Sequence, residues 1–307
     1  MIYTVTLNPA IDCAMSVGEY RTGAVNRADT QALTAGGKGI NMSVILSRLG
    51  VPTVALGFIG GVTGKMFLDL LEGEHCPHEM TEVEGQLTRI NFKLHSSSDE
   101  TEINGKGHEI PTEVLSEFVD WLCGRLESGD TLILAGSIPA SVPDSIYADI
   151  MKRLSGIGVR IAADTSGSAL VELIKLHPFL IKPNNIELGE ILGRSISTRA
   201  EAFAGALELQ KMGAQNVLVS LASEGAVLLA ADGKRFESGA PHGKAVNSVG
   251  AGDSMLAGYL AGLELYGDNG RALMLGTAAG SSTAFSSGLA SRDEILAMFS
   301  RLEKDIM

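Results

Sequence analysis

The chain alternates short apolar runs, rich in β-branched residues, with longer stretches of helical period, and this pattern constrains the fold more than any other feature. Such alternation is typical of a parallel sheet covered by helices on both faces. The runs predicted as strands are 2–7, 54–58, 131–134, 159–163, 179–181 and 217–219. Stretches such as NMSVILSRLG and PDSIYADIMKRLSGIG are predicted as helices. Because 307 residues suffice for one large domain, we expect a doubly wound α/β core.

Polar or backbone-exposing residues accompany each predicted strand near its carboxyl end. They are Asn8-Pro9, Gly57, Gly136-Ser137, Asp164, Lys182-Pro183-Asn184 and Ser220. Loops are often polar, so any one of these positions has an ordinary explanation. Ligands of open α/β sheets nevertheless bind beyond the carboxyl ends of the strands. Six such positions together predict a site at this edge of the sheet.

Two segments break the α/β rhythm. In residues 86–105, Ile90, Phe92 and Leu94 alternate with polar residues, and SSSD follows as a turn signal. Residues 12–34 have no sustained helical period. We predict that the two segments form a small β-lid inserted into one domain, 1–307, and that the lid excludes water from the reaction. The alternative is an edge hairpin packed on the core.

Composition excludes several classes of function. A formal net charge of −12 argues against a nucleic-acid surface. No apolar run approaches the roughly 18 residues that a membrane span needs. The amino terminus MIYTVTLNPAID indicates a buried strand and not a secretion signal. The three cysteines lack CxxC spacing, which fits a reducing compartment. We therefore expect a cytoplasmic protein whose partners are small molecules.

Two glycine-rich stretches precede predicted helices. Gly36-Gly37-Lys38-Gly39 combines close backbone approach with one positive charge, although it lacks the spacing of a P-loop. In Gly250-Ala251-Gly252, backbone N–H groups converge at the positive end of a helix, where developing negative charge is stabilised. Asp253 directly behind this nest is either a general base for an attacking hydroxyl group or a helix acid that only complements the dipole.

A third stretch, KPNNIELGEIL, places Asn184 and Glu187 three residues apart on an opening helical turn. Their oxygens could bind Mg²⁺ or could cap the helix. Lys182 beside them could contact phosphate. The following VLVSLASEGAVLLAADGKRF predicts a strand, a glycine turn and a hairpin closed at Asp232-Gly233, a flat element that could cover an adenine.

The stretches AGGKGIN, KPNNIE and NSVGAGDSM, in this order, resemble the PfkB branch of the ribokinase-like sugar kinases over essentially the whole chain. TVTLNPAID and GAVNR narrow the resemblance to phosphosugar kinases. The resemblance implies a three-layer α/β/α core with a small β-sheet lid, ATP and Mg²⁺ as cofactors, and a homodimer formed through the lid.

The resemblance also implies roles for individual residues. Asp253 matches the catalytic base, and Gly250, Ala251 and Gly252 match the anion hole. The residues that match the substrate side are Asp12, Arg27, Gly37, Lys38, Asn41, Arg89 and Ser137. The residues that match the nucleotide side are Lys182, Ser220, Gly225 and Ser248, with Asn184 and Glu187 at the metal.

Within the phosphosugar branch, TRINFKL followed by TEING is most similar to members that phosphorylate fructose 1-phosphate to fructose 1,6-bisphosphate. Tagatose 6-phosphate is the alternative acceptor, with the same catalytic residues. The basic lid residues Arg89 and Lys93 argue against an unphosphorylated sugar or nucleoside. A nonenzymatic phosphosugar sensor on the same fold is the alternative of another class, and the intact Asp253, Asn184 and Glu187 argue against it.

Overall fold

The computed structural model describes residues 1–97 and 99–304, along which strands and helices alternate. The strands are β1 (Ile2–Thr6), β2 (Ala10–Ser16), β3 (Thr30–Gly36), β4 (Thr53–Ile59), β5 (His78–Glu82), β6 (Arg89–His95), β7 (Glu100–Ile103), β8 (Thr131–Ala135), β9 (Arg160–Asp164), β10 (Leu180–Ile181), β11 (Asn216–Ser220), β12 (Ala226–Leu229) and β13 (Arg235–Ser238). The helices are α1 (Lys38–Arg48), α2 (Gly61–Gly73), α3 (Thr112–Arg125), α4 (Ile146–Arg153), α5 (Gly167–Ile174), α6 (Asn185–Leu192), α7 (Arg199–Met212), α8 (Ala251–Tyr266), α9 (Asn269–Phe285) and α10 (Arg292–Lys304).

Within the described residues, nine strands form a large sheet in the order β13-β12-β11-β10-β9-β8-β1-β4-β5. The strands from β11 to β5 are parallel, and β12 and β13 form an antiparallel edge. The six predicted strands are confirmed, with bounds that differ by one or two residues. The edge strand β5 was not predicted, because its sequence HEMTE carries neither an apolar run nor a clear alternation.

Helices cover both faces of this sheet, and the apolar residues of each strand divide between them. In β8, Leu132 and Leu134 pack in the core formed with α3 to α7, whereas Ile133 packs in the core formed with α1, α8, α9 and α10. Burial on both faces explains why the central strands are mostly apolar. The predicted three-layer α/β/α core is thus confirmed.

A second sheet of the described residues has the order β3-β2-β6-β7, and we call it the lid sheet. The two segments predicted for the lid supply its strands, which begin at Ala10 and reach Gly36 on one side. Strand β2 runs parallel to β6, with Asp12 opposite Asn91. Residue 98 of the predicted SSSD turn lies outside the described residues. None of the described helices has the length and apolarity to cross a membrane.

Candidate active site

The amino-terminal ends of α1 and α8 meet at the carboxyl edge of the parallel sheet, where the sequence predicts a site. The Nδ2 of Asn41, in the first turn of α1, donates a hydrogen bond of 2.8 Å to the Oδ2 of Asp253, in the first turn of α8. The two residues are 212 positions apart in the sequence. The fold therefore joins the two glycine-rich stretches into one site.

Gly250 allows α8 to begin at this position. It has φ 77°, in the left-handed region that favours glycine. A Cβ there would lie 2.8 Å from Cδ2 of Leu289 and 3.5 Å from Nδ2 of Asn41. A larger residue would be strained at this φ, and its Cβ would displace the side chain of Leu289. The N–H groups of Gly250 and Gly252 can then point in front of the helix, whereas the N–H group of Ala251, which was predicted to share this role, donates a hydrogen bond of 3.3 Å to the carbonyl of Ser248.

Asp253 is 8% exposed, and this burial determines its protonation chemistry. Burial disfavours the charged form, and the nearby Asp164 carboxylate adds repulsion, so the pKa of Asp253 is raised to about 6. The hydrogen bond from Asn41 opposes the shift but does not cancel it. A carboxylate of this kind is more basic than an exposed one and is still ionised at neutral pH.

Asp164 ties two lysines together beside Asp253. Its Oδ1 lies 2.9 Å from Nζ of Lys38, and its Oδ2 lies 3.2 Å from Nζ of Lys182. Asp164 is 1% exposed, and burial alone would raise its pKa, but the two ammonium groups outweigh burial and keep its pKa below the usual range. The site thus holds two cations around one fully buried anion.

The two lysines differ in environment. Burial lowers the pKa of Lys38, but the Asp164 contact, together with the charges of Asp253 and Glu187, raises it above its usual value. Lys182 is 6% exposed, and a Cβ on Gly252 would lie 3.4 Å from its Nζ. The Lys182 ammonium therefore lies beside the glycine nest, where an anionic group would meet both.

Asp164 was not among the predicted site residues. It was noted only as one of the polar residues that follow the strands, and its position at the end of the buried strand β9 was the available signal. Its two partners come from α1 and from the loop after β10, so no short motif contains all three residues.

The glycine loop before α1 is shaped by close packing. A Cβ at Gly36 would lie 2.6 Å from the Oδ2 of Asp12, and one at Gly39 would lie 2.5 Å from Oγ1 of Thr6. Gly37 has φ 130°, which glycine adopts easily. These glycines let Asp12 of the lid sheet and the start of α1 approach each other, which places Asp12 on the same side as Lys38 and Asn41.

Asp12 lies in a cavity between the lid sheet and the core. Its Oδ1 accepts a hydrogen bond of 2.9 Å from Asn91, and its Oδ2 lies 3.0 Å from Nζ of Lys93. The cavity has a volume of about 260 Å³ and is lined by Asp12 and Lys93 from the lid sheet and by Asn41 and Val249 from the core. This volume could hold a small polar molecule next to Asp253.

Three other predicted substrate residues lie further from this centre. Arg89, at the base of the lid sheet, donates to the carbonyls of Asn8 at 2.8 Å and Gly105 at 3.1 Å. Burial lowers the pKa of Arg89 against the opposing charge of Asp12. Arg27 is exposed in the loop between β2 and β3, and Ser137 is exposed directly after β8. The structure therefore does not bring these three side chains into the cavity lining.

Asn184 and Glu187 form the capping box of α6. The Asn184 Oδ1 accepts from the N–H groups of Ile186 and Glu187, and the Glu187 Oε2 accepts from the N–H group of Asn184 at 2.9 Å. The second oxygen of Glu187 forms no hydrogen bond within the described residues. The charge of Glu187 contributes to the raised pKa of Lys38, so this carboxylate lies near the charged centre.

The predicted nucleotide residues lie along one side of the same edge. Ser220 ends β11 and forms a parallel bridge with Asn184. Gly225 has φ 89°, and a Cβ there would lie 2.0 Å from the carbonyl oxygen of Ser238, so the turn before β12 requires glycine. Ser248 is exposed just before α8. Ser220 thus lies beside Asn184, and Ser248 lies just before the glycine nest.

Comparisons with known proteins give one consistent relationship. A family model described as pfkB family carbohydrate kinase matches residues 5–295. The chain is 43% identical to the 1-phosphofructokinase of Bacillus subtilis (strain 168) over 95% of both chains. It is 36% identical to the D-tagatose-1-phosphate kinase of Bacillus licheniformis over 94% of both chains. Phosphofructokinase-2 from Escherichia coli, in complex with substrates and products, matches with a TM-score of 0.92 and 27% identity, over 98% of this chain and 99% of that one.

Proposed function

The chain belongs to the pfkB family of carbohydrate kinases, and we propose that it transfers the terminal phosphoryl group of ATP to a hydroxyl group of fructose 1-phosphate, forming fructose 1,6-bisphosphate. The name of the Bacillus subtilis relative supports this acceptor, because the similarity extends over 95% of both chains. The observation that carries the kinase chemistry is the buried Asp253 behind the glycine nest, hydrogen-bonded to Asn41.

Asp253 acts as the general base in this proposal. The acceptor hydroxyl group lies in front of α8, and its proton passes to a carboxylate oxygen of Asp253 as the oxygen attacks the phosphoryl group. The hydrogen bond from Asn41 fixes the orientation of the carboxylate. Burial, which raises the pKa to about 6, makes Asp253 a better proton acceptor than an exposed aspartate.

The negative charge that moves with the phosphoryl group needs donors fixed in advance. The N–H groups of Gly250 and Gly252 and the positive end of α8 supply them, and Lys182 adds a full charge beside Gly252. Asp164 holds Lys182 and Lys38 in position before the substrates arrive. Little rearrangement is then needed at the moment of reaction.

We assign the nucleotide to the side of β11 and β12. Ser220, the turn at Gly225 and Ser248 border the space next to Lys182, and the flat hairpin from β11 to β13 can cover the adenine. Mg²⁺ fits Glu187, whose second oxygen is free among the described residues, because Mg²⁺ commonly takes one or two carboxylates together with substrate phosphates and waters. When bound, the ion would neutralise phosphate charge. Asn184 would hold Glu187 in place through the capping box.

The acceptor sugar lies in the cavity under the lid sheet. We assign its hydroxyl groups to Asp12 and Asn41 and to the backbone at Gly37 and Lys38. The predicted contact between Arg89 and the sugar phosphate stays a prediction: its two terminal nitrogens donate to carbonyls, and its buried Nε has no hydrogen-bond partner among the described residues. Arg27 and Ser137 can join the site only if the loops that carry them move inward.

We also propose that two chains pair through the outer face of the lid sheet. Phe92 and Ile103 are 45% and 66% exposed there, which is unusual for large apolar side chains on one small sheet.

The three cysteines are unpaired, which fits the cytoplasm.

A coupled assay of ADP release tests the proposed function. The kcat/KM values are compared for fructose 1-phosphate, tagatose 1-phosphate, tagatose 6-phosphate, fructose 6-phosphate and free fructose, with ATP and Mg²⁺. Preference for fructose 1-phosphate supports the proposal. Preference for a tagatose phosphate keeps the mechanism and changes the acceptor, as the 36% identity to the Bacillus licheniformis enzyme would allow. No turnover with any of these sugars would favour a sensor that binds phosphosugar without chemistry.

A further inference from the structure

Lys93 has a position on the lid sheet that no other cation of the cavity shares. In the parallel pairing of β2 and β6, Asp12 is opposite Asn91 and Ala14 is opposite Lys93, so these four side chains face the same side. That side lines the cavity next to Asn41. The Lys93 side chain is 12% exposed, and among the described residues its Nζ has one ion-pair partner, Asp12. Two donors of this ammonium remain for a ligand.

Two arginines near the cavity are held in place by other groups. Arg48 lines the cavity, but its guanidinium donates to the carbonyls of Leu289 and Ala290 and to Glu74. Arg89 is held by the carbonyls of Asn8 and Gly105. A flexible ammonium with one partner can change partners at smaller cost than a guanidinium held at two or three points.

The order of groups along the cavity matches a sugar whose acceptor hydroxyl group and phosphate are at opposite ends. At one end of the cavity, Asn41 contacts Asp253, and Asp12 comes next. Lys93 lies two residues further along β6 than Asn91, the residue opposite Asp12, which is about 7 Å along the strand. An acceptor hydroxyl at Asp253 and other hydroxyls at Asp12 would direct the far end of the sugar to Lys93. In fructose 1-phosphate phosphorylated at carbon 6, that far end carries the phosphate.

We propose that Lys93 binds the phosphate of the acceptor sugar, exchanging Asp12 for the phosphate as the sugar hydroxyl groups take up the Asp12 carboxylate. This inference rests on the proposed phosphosugar kinase function. In the unliganded protein, Lys93 and Asp12 neutralise each other in a half-enclosed cavity. In the complex each has a new partner of matching charge or polarity, so neither is left buried and unpaired. Lys93 then contributes to the distinction between a phosphosugar and a free sugar.

Four proteins test the proposal: wild type, Lys93→Met, Lys93→Arg and Lys106→Met. Lys93→Met keeps the length of the side chain and removes the charge, and Lys93→Arg keeps the charge. Lys106 is exposed in the segment after β7 and pairs with Glu109, so Lys106→Met is a control for the loss of one positive charge. The measurements are KM for fructose 1-phosphate, free fructose and ATP, and the Kd of fructose 1-phosphate from calorimetry without nucleotide.

Lys93→Met is expected to raise both KM and Kd for fructose 1-phosphate roughly 10- to 100-fold, the range for loss of one hydrogen bond to a charged group. Its KM for ATP and its kcat/KM for free fructose should stay within about twofold of wild type on the same argument. Lys93→Arg should retain most of the phosphosugar affinity, and Lys106→Met all of it.

Equal losses for fructose and fructose 1-phosphate would overturn the proposal, because they would show that Lys93 only holds Asp12. Unchanged affinity for fructose 1-phosphate would overturn it as well. If Lys93→Met does not fold, Lys93→Gln gives the same comparison with a polar, uncharged side chain. Failure of the proposed function itself is a different result: wild type would then neither bind nor turn over fructose 1-phosphate.

Discussion

Replacing Asp253 with asparagine should remove catalysis and, at neutral pH, stabilise the protein. Asparagine keeps the size of the side chain, and its Oδ1 can still accept the hydrogen bond from Asn41. It cannot take a proton from the acceptor hydroxyl. A positioned general base contributes about 10²- to 10⁴-fold, so kcat should fall by that factor while KM for both substrates changes little.

The gain in stability follows from the raised pKa. A shift from 3.8 to about 6 corresponds to roughly 3 kcal/mol, at about 1.4 kcal/mol per pKa unit. Because the folded pKa lies above the unfolded one, the native state is favoured by protonation at low pH, and this stability is lost as the pH rises through 6. Above pH 6 the wild type therefore holds an unfavourable buried charge that asparagine lacks.

The size of the effect in melting temperature depends on chain length. For 307 residues, a gain of about 3 kcal/mol raises Tm by roughly 5 °C, given an unfolding entropy of about 2 cal/mol/K per residue. At pH 5 about half of this gain should remain, because the wild-type Asp253 is then mostly protonated in the native state. The difference in Tm between variant and wild type should therefore grow from pH 5 to pH 8.

Calorimetric melting at pH 5, 6, 7 and 8, without ligands, measures this dependence. The variant Asp69→Asn, at an exposed position on α2, controls for the loss of one negative charge from a chain of net charge −12. A Tm for Asp253→Asn at pH 8 equal to or below that of wild type would refute the argument from burial. A kcat close to wild type would refute the assignment of Asp253 as the base.

Three further predictions concern charged residues of the candidate site. For wild type, kcat/KM should fall about tenfold per pH unit below pH 6, since protonated Asp253 cannot act as a base; a flat profile down to pH 5 would contradict this. Asp164→Asn should move this fall in kcat/KM to lower pH, because Asp164 helps to raise the pKa of Asp253. It should also destabilise the protein by about 3–5 kcal/mol, because two lysines lose their shared anion. An unchanged pH dependence and an unchanged Tm would count against this prediction. Arg89→Ala should weaken binding of fructose 1-phosphate far more than binding of ATP, and equal losses in both titrations would show that Arg89 only stabilises the base of the lid sheet.

Most of the fold could be predicted from the sequence, because each central strand is buried on both faces and is therefore mostly apolar. In β8 all five residues are buried. The edge strand β5 has partly buried and exposed residues, so its position depends on its pairing with β4 and not on its own composition. The lid sheet was predicted from a period of two in residues 86–105 and from the lack of a helical period in residues 12–34. Its parallel pairing of β2 with β6 joins segments about 80 residues apart and leaves no local pattern.

The candidate site was predictable where several of its groups come from one short motif. Asp253 and the glycine nest are contiguous, and Gly37, Lys38 and Asn41 lie within five residues. Asp164 was missed because its contact with Lys38 spans 126 residues. For Arg89, alternation indicated the polar face of the strand but not the nearby carbonyls of Asn8 and Gly105, which come from segments that cross the base of the lid sheet.

The surroundings of the two buried carboxylates of the site shift their pKa values in opposite directions. Asp164 has two ammonium neighbours, so its pKa is lowered despite complete burial, and it stays ionised throughout the working pH range. Asp253 has an amide neighbour and faces that permanent negative charge, so its pKa rises to about 6. Separation of two pKa values in this way assigns roles: the stronger acid organises cations, and the weaker acid exchanges protons. At pH 7 about nine tenths of Asp253 is ionised, so it is ready to accept a proton and is more basic than an exposed aspartate. The fixed charge of Asp164 therefore supports both steps of the proposed reaction, by placing the lysines for the phosphoryl group and by raising the basicity of Asp253 toward the hydroxyl group.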